Sequence, residues 1–174
     1  MGAIIVRKPH RERPALIKHL TSSMFVFHRD HGVWRTGLIH HPFLKAWIQP
    51  GGHVDPDENP AQAAAREARE ETGLHDIEPV SLIGELEHHD GIAHMPMPAW
   101  IVEHEIGGDN HVAEPHIHVD FKYVGITRSG QQRTTPDHPF RWFDRGELKS
   151  AETLDDIRAL TSTLFDFLES DSPG

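Results

Sequence analysis

The sequence predicts an α/β sandwich, and three observations carry that prediction. Short segments of strand-like alternation recur along the chain, the clearest being residues 116–125 (HIHVDFKYVG). Two helical segments accompany them: a capped one over 60–72 that interrupts the strands, and an amphipathic one over 151–169 that follows them, in which Leu154, Ile157, Leu160, Leu164 and Leu168 recur at helical spacing. No internal repeat, low-complexity stretch or linker divides the 174 residues, so a single domain over 1–174 is expected.

In chain order, residues 11–20 (RERPALIKHL) read as a short helix, with Pro14 tolerated only in a first turn. Residues 23–28 alternate around Phe25 and Phe27 as a strand. The run 28–32 (HRDHG) is a turn, and 33–39 returns as the second arm of a hairpin. Ala46-Trp47-Ile48 is a short apolar strand leading into Pro50-Gly51-Gly52. After the first helix, residues 77–86 and 99–106 read as strands, the second closed by Gly107-Gly108-Asp109-Asn110. Residues 127–137 are loop-like, and Phe140-Arg141-Trp142-Phe143 forms a last short strand.

Composition narrows the function. A formal net charge of -10 opposes the broad phosphate-covering surface that duplex nucleic acid needs, but allows one small anionic substrate bridged by a cation. With no cysteine there is no disulfide framework, thiolate zinc site or cysteine nucleophile. The apolar run at residues 3–6 is too short for a signal core or a membrane span, and Val6 stands where a myristoylation signal needs Ser or Thr. A cytoplasmic protein without membrane association is expected.

The first helix is chemically odd. Asn59 supplies an N-cap, Pro60 the first helical position, Gln62 the capping-box partner and Gly73 the left-handed stop. Ala61, Ala64, Ala65 and Ala68 share one narrow stripe, which lets the backbone lie close to a sheet. Glu67, Glu70 and Glu71 crowd the adjoining face at i, i+3, i+4 spacing, where like charges cost a few tenths of a kcal/mol per pair. A hard divalent cation turns that repulsion into attraction, because carboxylate oxygens are the ligands Mg²⁺ or Mn²⁺ prefers.

Gly52, Glu58, Arg66-Glu67-Ala68, Glu70-Glu71 and Gly73-Leu74 resemble, at every charged and glycine position, the box of the Nudix hydrolase superfamily over residues 52–74. Only Ala68 departs, standing where a bulkier aliphatic residue is commoner. The hairpin before the box, the Trp47-to-Gly52 approach, and the Arg141-Trp142-Phe143 strand followed by Glu147-Leu148 are also similar to the family's layout. The resemblance implies an α/β/α sandwich with a mixed sheet, hydrolysing the diphosphate linkage of a nucleoside diphosphate derivative with two or more Mg²⁺ or Mn²⁺ ions. It implies a catalytic set of Arg66, Glu67, Glu70 and Glu71. Glu67 and Glu71 would be the principal ligands, Glu70 a direct or water-mediated one, and the Gly51 carbonyl would complete the cluster. Gly52, Glu58 and Gly73 would be structural, with Arg66 forking onto Glu58 to pin the intervening loop. For a general base, Glu67 on the helix competes with Glu114, Asp120, Asp137 and His138 on later segments. The resemblance also brings a homodimer into view as an assembly.

Sixteen histidines remain to be placed. Strand alternation puts Glu114, His116, His118 and Asp120 on one face, either an extra metal site or phosphate contact, or a solvated polar face. His53, just after the paired glycines, is a candidate substrate contact or a packed loop residue. His88, His89, Asp90 and His94 read as surface residues, and Trp34, Trp47, Trp100 and Trp142 as core or sheet residues, with stacking of a nucleobase by one of them as the alternative. The substrate stays open, since the proline or tyrosine that marks some sub-classes is missing from residues 89–92. A Nudix-like sensing domain that binds a nucleotide without cleaving it is the alternative; the intact Glu67, Glu70 and Glu71 speak against it. A His-rich metal-binding protein would leave Gly51, Gly52 and Arg66 unexplained.

Overall fold

The structure, a computed structural model, describes residues 16–82 and 94–170. Within them the elements run β1 (Lys18–Asp30), β2 (Val33–His41), β3 (Ala46–Ile48), β4 (Gly51–His53), α1 (Pro60–Thr72), β5 (Ile77–Val80), β6 (Trp100–Ile106), β7 (His116–Thr127), β8 (Phe140–Asp144), α2 (Arg145–Ser150) and α3 (Asp155–Ser170). The eight strands form one mixed sheet. Its spine is the parallel pair β1 and β7, in register from Lys18 opposite Ile117 to His28 opposite Thr127. The other edge of β1 is shared by β4, at Thr21 to Ser23, and β2, at Val26 to Asp30. The other edge of β7 is shared by β6 and β5.

Alternation along β1 builds both apolar layers. Met24 and Val26 join Ala61, Ala64, Ala65 and Ala68 of α1, with Leu74, Ile77 and Tyr123. Phe25 and Phe27 face the opposite way, into a cluster with Phe143, Leu148, Ile157, Leu164, Phe165 and Leu168. The sheet is therefore covered by α1 on one side and α3 on the other, the predicted sandwich. Each large side chain enclosed in these layers contributes roughly 1.5–3 kcal/mol. The alanine stripe does what its size allows: the helix lies so close that Ser22 Oγ donates to the Pro60 carbonyl at 2.6 Å.

The caps of α1 are as the sequence predicts. Asn59 Oδ1 accepts from Gln62 N at 3.1 Å, while Gln62 Oε1 accepts from Asn59 N at 2.9 Å. Gly73 closes the helix at φ 72°, and a Cβ there would stand 2.3 Å from the Thr134 carbonyl oxygen. That carbonyl belongs to the loop before β8, which reaches back to the helix end through Arg133 N donating to Gly73 O at 2.8 Å and Asp137 N to Glu70 O at 3.1 Å. Gly73→Ala is accordingly expected to cost about 2–3 kcal/mol, combining left-handed backbone with a backbone clash. Urea denaturation measures it; a loss under about 0.5 kcal/mol would show the loop yielding freely.

Three expectations change, and two elements were not anticipated. The helix over 11–20 is contradicted in its described part, because Lys18–Leu20 extend β1: pairing with β7 supplies inter-strand hydrogen bonds that override local helical character. The helix over 151–169 begins instead at Asp155. Residues 151–154 are a link held by Trp47 N donating to Glu152 O at 2.7 Å and Thr153 Oγ1 to Trp47 O at 2.5 Å, and Leu154 is exposed. Short α2, capped by Asp144 and Glu147, was not anticipated, nor was the pairing of Gly51–His53 as β4. The strand over 77–86 ends at Val80, and residues 83–86 lie outside the described residues, as do His88, His89 and Asp90. Among the described residues no helix is long and apolar enough to cross a membrane.

Candidate active site

The site grows from the meeting of β4 with α1. Gly52 pairs with Ser22, and a Cβ on it would come within 2.4 Å of Glu67 Oε1, so glycine lets the strand pass with this carboxylate left in place. Gly51 N donates to Glu71 Oε2 at 2.9 Å, tying the far end of the acidic face to the same strand. The contact seen at Gly51 is thus through its N–H, which orients Glu71 beside the residue expected to offer a carbonyl ligand.

Arg66 organises the rest. Its guanidinium forks onto Glu58, Nε to Oε2 at 3.2 Å and Nη2 to Oε1 at 2.7 Å, as the predicted planar pairing requires. Nη2 also donates to the His53 carbonyl at 3.1 Å, and Nη1 to Glu67 Oε1 at 2.7 Å and Glu70 Oε2 at 3.1 Å. Glu58 Oε1 in turn accepts from Asp55 N at 3.0 Å, closing the loop. The hydrogen bonds from Arg66 outweigh burial and hold the Glu58 carboxyl below its ordinary range.

The three helix carboxylates differ sharply. Glu70 has a side chain 50% exposed, whereas those of Glu67 and Glu71 are 17% and 12% exposed. Burial pushes Glu71 up to about 8, against the pull of the Gly51 N–H and reinforced by the negative charges of Glu67, Asp137 and Glu70. Burial also raises Glu67, with Arg66 opposing. His138 Nε2 lies 3.3 Å from Glu71 Oε1, so the 133–138 loop brings one of the weighed base candidates to the helix. Asp120 is differently engaged, 2.8 Å from Lys122 Nζ and accepting from Ser23 Oγ at 2.9 Å. Glu114 stands before β7, exposed.

A second cluster lies at the other end of β4. Successive strand residues project to opposite faces, so the His53 ring leaves the face on which Gly52 meets Glu67 and joins His116 and His118 of β7. Asp109, from the turn after β6, completes the group: one ligand atom from each of His53, Asp109, His116 and His118 lies within 4.8 Å of all the others. Burial lowers the pKa of His53 and His118 despite the neighbouring Asp109. Asp109 sits well below the usual carboxylate range: burial opposes this, and the N–H groups of Val112 and His111 outweigh it. Asp109 was not among the sequence candidates, since a lone acid in a Gly-Gly-Asp-Asn turn reads as turn chemistry. His94 is exposed, as expected.

The model of the NUDIX domain matches residues 18–163. The chain belongs to the Nudix family. A Nudix-family hydrolase from Clostridium perfringens is 25% identical, with a TM-score of 0.65 covering 86% of this chain and 97% of that one. An Ap4A hydrolase from C. elegans shares the Nudix fold at 16% identity, a TM-score of 0.59, and 87% and 99% coverage. A shorter match, 56% identical over 36 residues, joins the chain to the mouse bis(5'-nucleosyl)-tetraphosphatase (asymmetrical). It spans 21% of this Nudix chain and 21% of that curated relative.

Proposed function

We propose that this Nudix protein is a pyrophosphohydrolase that cleaves the diphosphate linkage of a nucleoside diphosphate derivative, with Mg²⁺ or Mn²⁺ held by Glu67, Glu70 and Glu71. The observation carrying this reading is Glu71: a carboxyl sunk into the protein among three other acids, its ionisation suppressed until about pH 8. Such an arrangement is costly unless a cation completes it. The donor set is all oxygen, which fits a hard divalent ion. When bound, that ion would neutralise diphosphate oxygens and acidify a water.

The chain's own groups have distinct tasks. Gly51 N–H fixes Glu71. Arg66 spaces Glu67 from Glu70 and locks the Glu58 loop, acting as a positioning residue. His138 Nε2, 3.3 Å from Glu71 Oε1, is within reach of that carboxyl. The curated name of the mouse relative makes dinucleoside polyphosphates the first substrates to try, before sugar nucleotides and nucleoside triphosphates. Incubation with such a panel, with and without Mg²⁺ or Mn²⁺, tests the reading through nucleoside monophosphate or phosphate release. Tight nucleotide binding with no turnover on any member would replace it with the sensing role.

Gly52→Ala provides a sharper local test. Its Cβ meets the end of a side chain, so the fold should survive while Glu67 is displaced. A fall in kcat of about 10²-fold is expected with the thermal midpoint held within a few degrees. Unchanged kcat would remove Glu67 from the reaction.

A further inference from the structure

We propose that His53, Asp109, His116 and His118 form a four-ligand site for a Zn²⁺-type cation, separate from the glutamate helix, that fastens the turn between β6 and β7 to β4. The inference does not depend on the hydrolase reading.

The geometry comes first. His116 Nε2 and His118 Nε2 are 3.0 Å apart, and Asp109 Oδ2 lies 3.1 Å from His118 Nε2 and 3.4 Å from both His116 Nε2 and His53 Nε2. Bonds of about 2.0–2.1 Å to a tetrahedral zinc place neighbouring ligand atoms about 3.3–3.4 Å apart. Four of the six separations therefore already stand near the edges of such a tetrahedron.

Hydrogen bonding comes second. His116 Nδ1 bonds the Glu114 carbonyl at 2.8 Å, which assigns the proton to Nδ1 and turns a lone pair on Nε2 inward. Asp109 Oδ1 accepts from His111 N at 2.8 Å and Val112 N at 2.7 Å, leaving Oδ2 aimed at the three rings. These are the outer contacts that orient metal ligands. As protein alone the group falls short. His118 Nε2 has at most one proton to give, to His116 or Asp109, and the enclosed His53 Nε2 makes no hydrogen bond, its 3.4 Å approach to Asp109 being a charge contact only. One cation satisfies all four atoms.

The donor set names the class of ion. Three imidazoles and one carboxylate suit Zn²⁺, or Co²⁺ in its place, and not Mg²⁺, which takes oxygen ligands in an octahedron. Four protein ligands with none left open make a fastening site. What it would fasten is pertinent: the His53 carbonyl also receives Arg66 Nη2, so an ion on the ring stiffens the strand that carries Gly51 and Gly52.

The test titrates the full chain with ZnCl₂ alone by calorimetry, measures metal retained after gel filtration, and records the visible spectrum with Co²⁺. Wild type and the Glu67→Gln/Glu71→Gln double variant should both bind a tight zinc, give the intense bands of tetrahedral Co²⁺, and melt at higher temperature with zinc. Asp109→Asn, which keeps the Oδ1 acceptor, and His118→Gln should each weaken zinc by more than about 100-fold and lose the thermal shift. His116 is almost fully enclosed, so its removal is not used. Zinc affinity unchanged in both single variants overturns the site, as does loss of zinc in the double helix variant or absence of binding in wild type. None of these readouts involves turnover, so failure here and failure of the hydrolase reading are distinguishable.

Discussion

Glu71→Gln is expected to lower kcat by at least about 10³-fold while making the metal-free protein more stable in alkaline buffer. The amide oxygen keeps the acceptor that Gly51 N–H uses, so the local geometry survives. The sign of the stability effect follows from proton linkage. Burial raises the folded carboxyl from 4.5 to about 8, so between those values the folded state holds a proton the unfolded chain has released. Wild-type stability from this group is complete below about pH 4.5 and is lost as pH rises through about 8. Glutamine has no proton to lose. In EDTA at pH 9 the variant should exceed wild type by about 1–3 kcal/mol, a figure discounted for relaxation around the charge, with the gap closing at pH 5. Denaturant melts at the two values decide it; equal stability at both would mean that Glu71 ionises without penalty.

Substitution of Arg66 should be strongly destabilising. Arg66→Met leaves Glu58 and Glu67, both mostly buried, without their cation, and a cost of about 3–5 kcal/mol is expected. Arg66→Lys keeps the charge but not the fork, and should cost about 1–2 kcal/mol together with a drop in rate. Glu58 sets the pH dependence of this effect. Its lowered pKa contributes stability above the ordinary Glu range, lost as pH falls through the folded value, so Arg66→Met should flatten the acid limb of wild type. A double-mutant cycle with Glu58→Gln isolates the pair; coupling below about 0.5 kcal/mol would show that the loop is held by other contacts.

What the sequence revealed and concealed divides by range of interaction. Asn59, Pro60, Gln62 and Gly73 specify both ends of α1 through contacts within four residues, and both ends stand where local chemistry puts them. The Arg66–Glu58 pairing was legible too, because box spacing and guanidinium geometry leave few partners. Lys18–Leu20 failed for the opposite reason: their strand state comes from a partner about a hundred residues away. Asp109 was hidden for the same cause, since only the fold brings it to His53, His116 and His118, whereas Asp120, plausible by alternation, is claimed by Lys122. His116 and His118 carried a usable signal in their spacing. His53 was marked only by its place after the paired glycines.

The position of β1 sets how the gene can change. Met24 and Val26 serve one apolar layer while Phe25 and Phe27 serve the other, and both flanks of the strand are occupied. A codon inserted or deleted between Ser22 and Phe27 would swap the faces of the residues on one side of the change, disturbing both layers unless a bulge absorbed it. Changes of length are therefore expected to be tolerated better in the turns than in this strand.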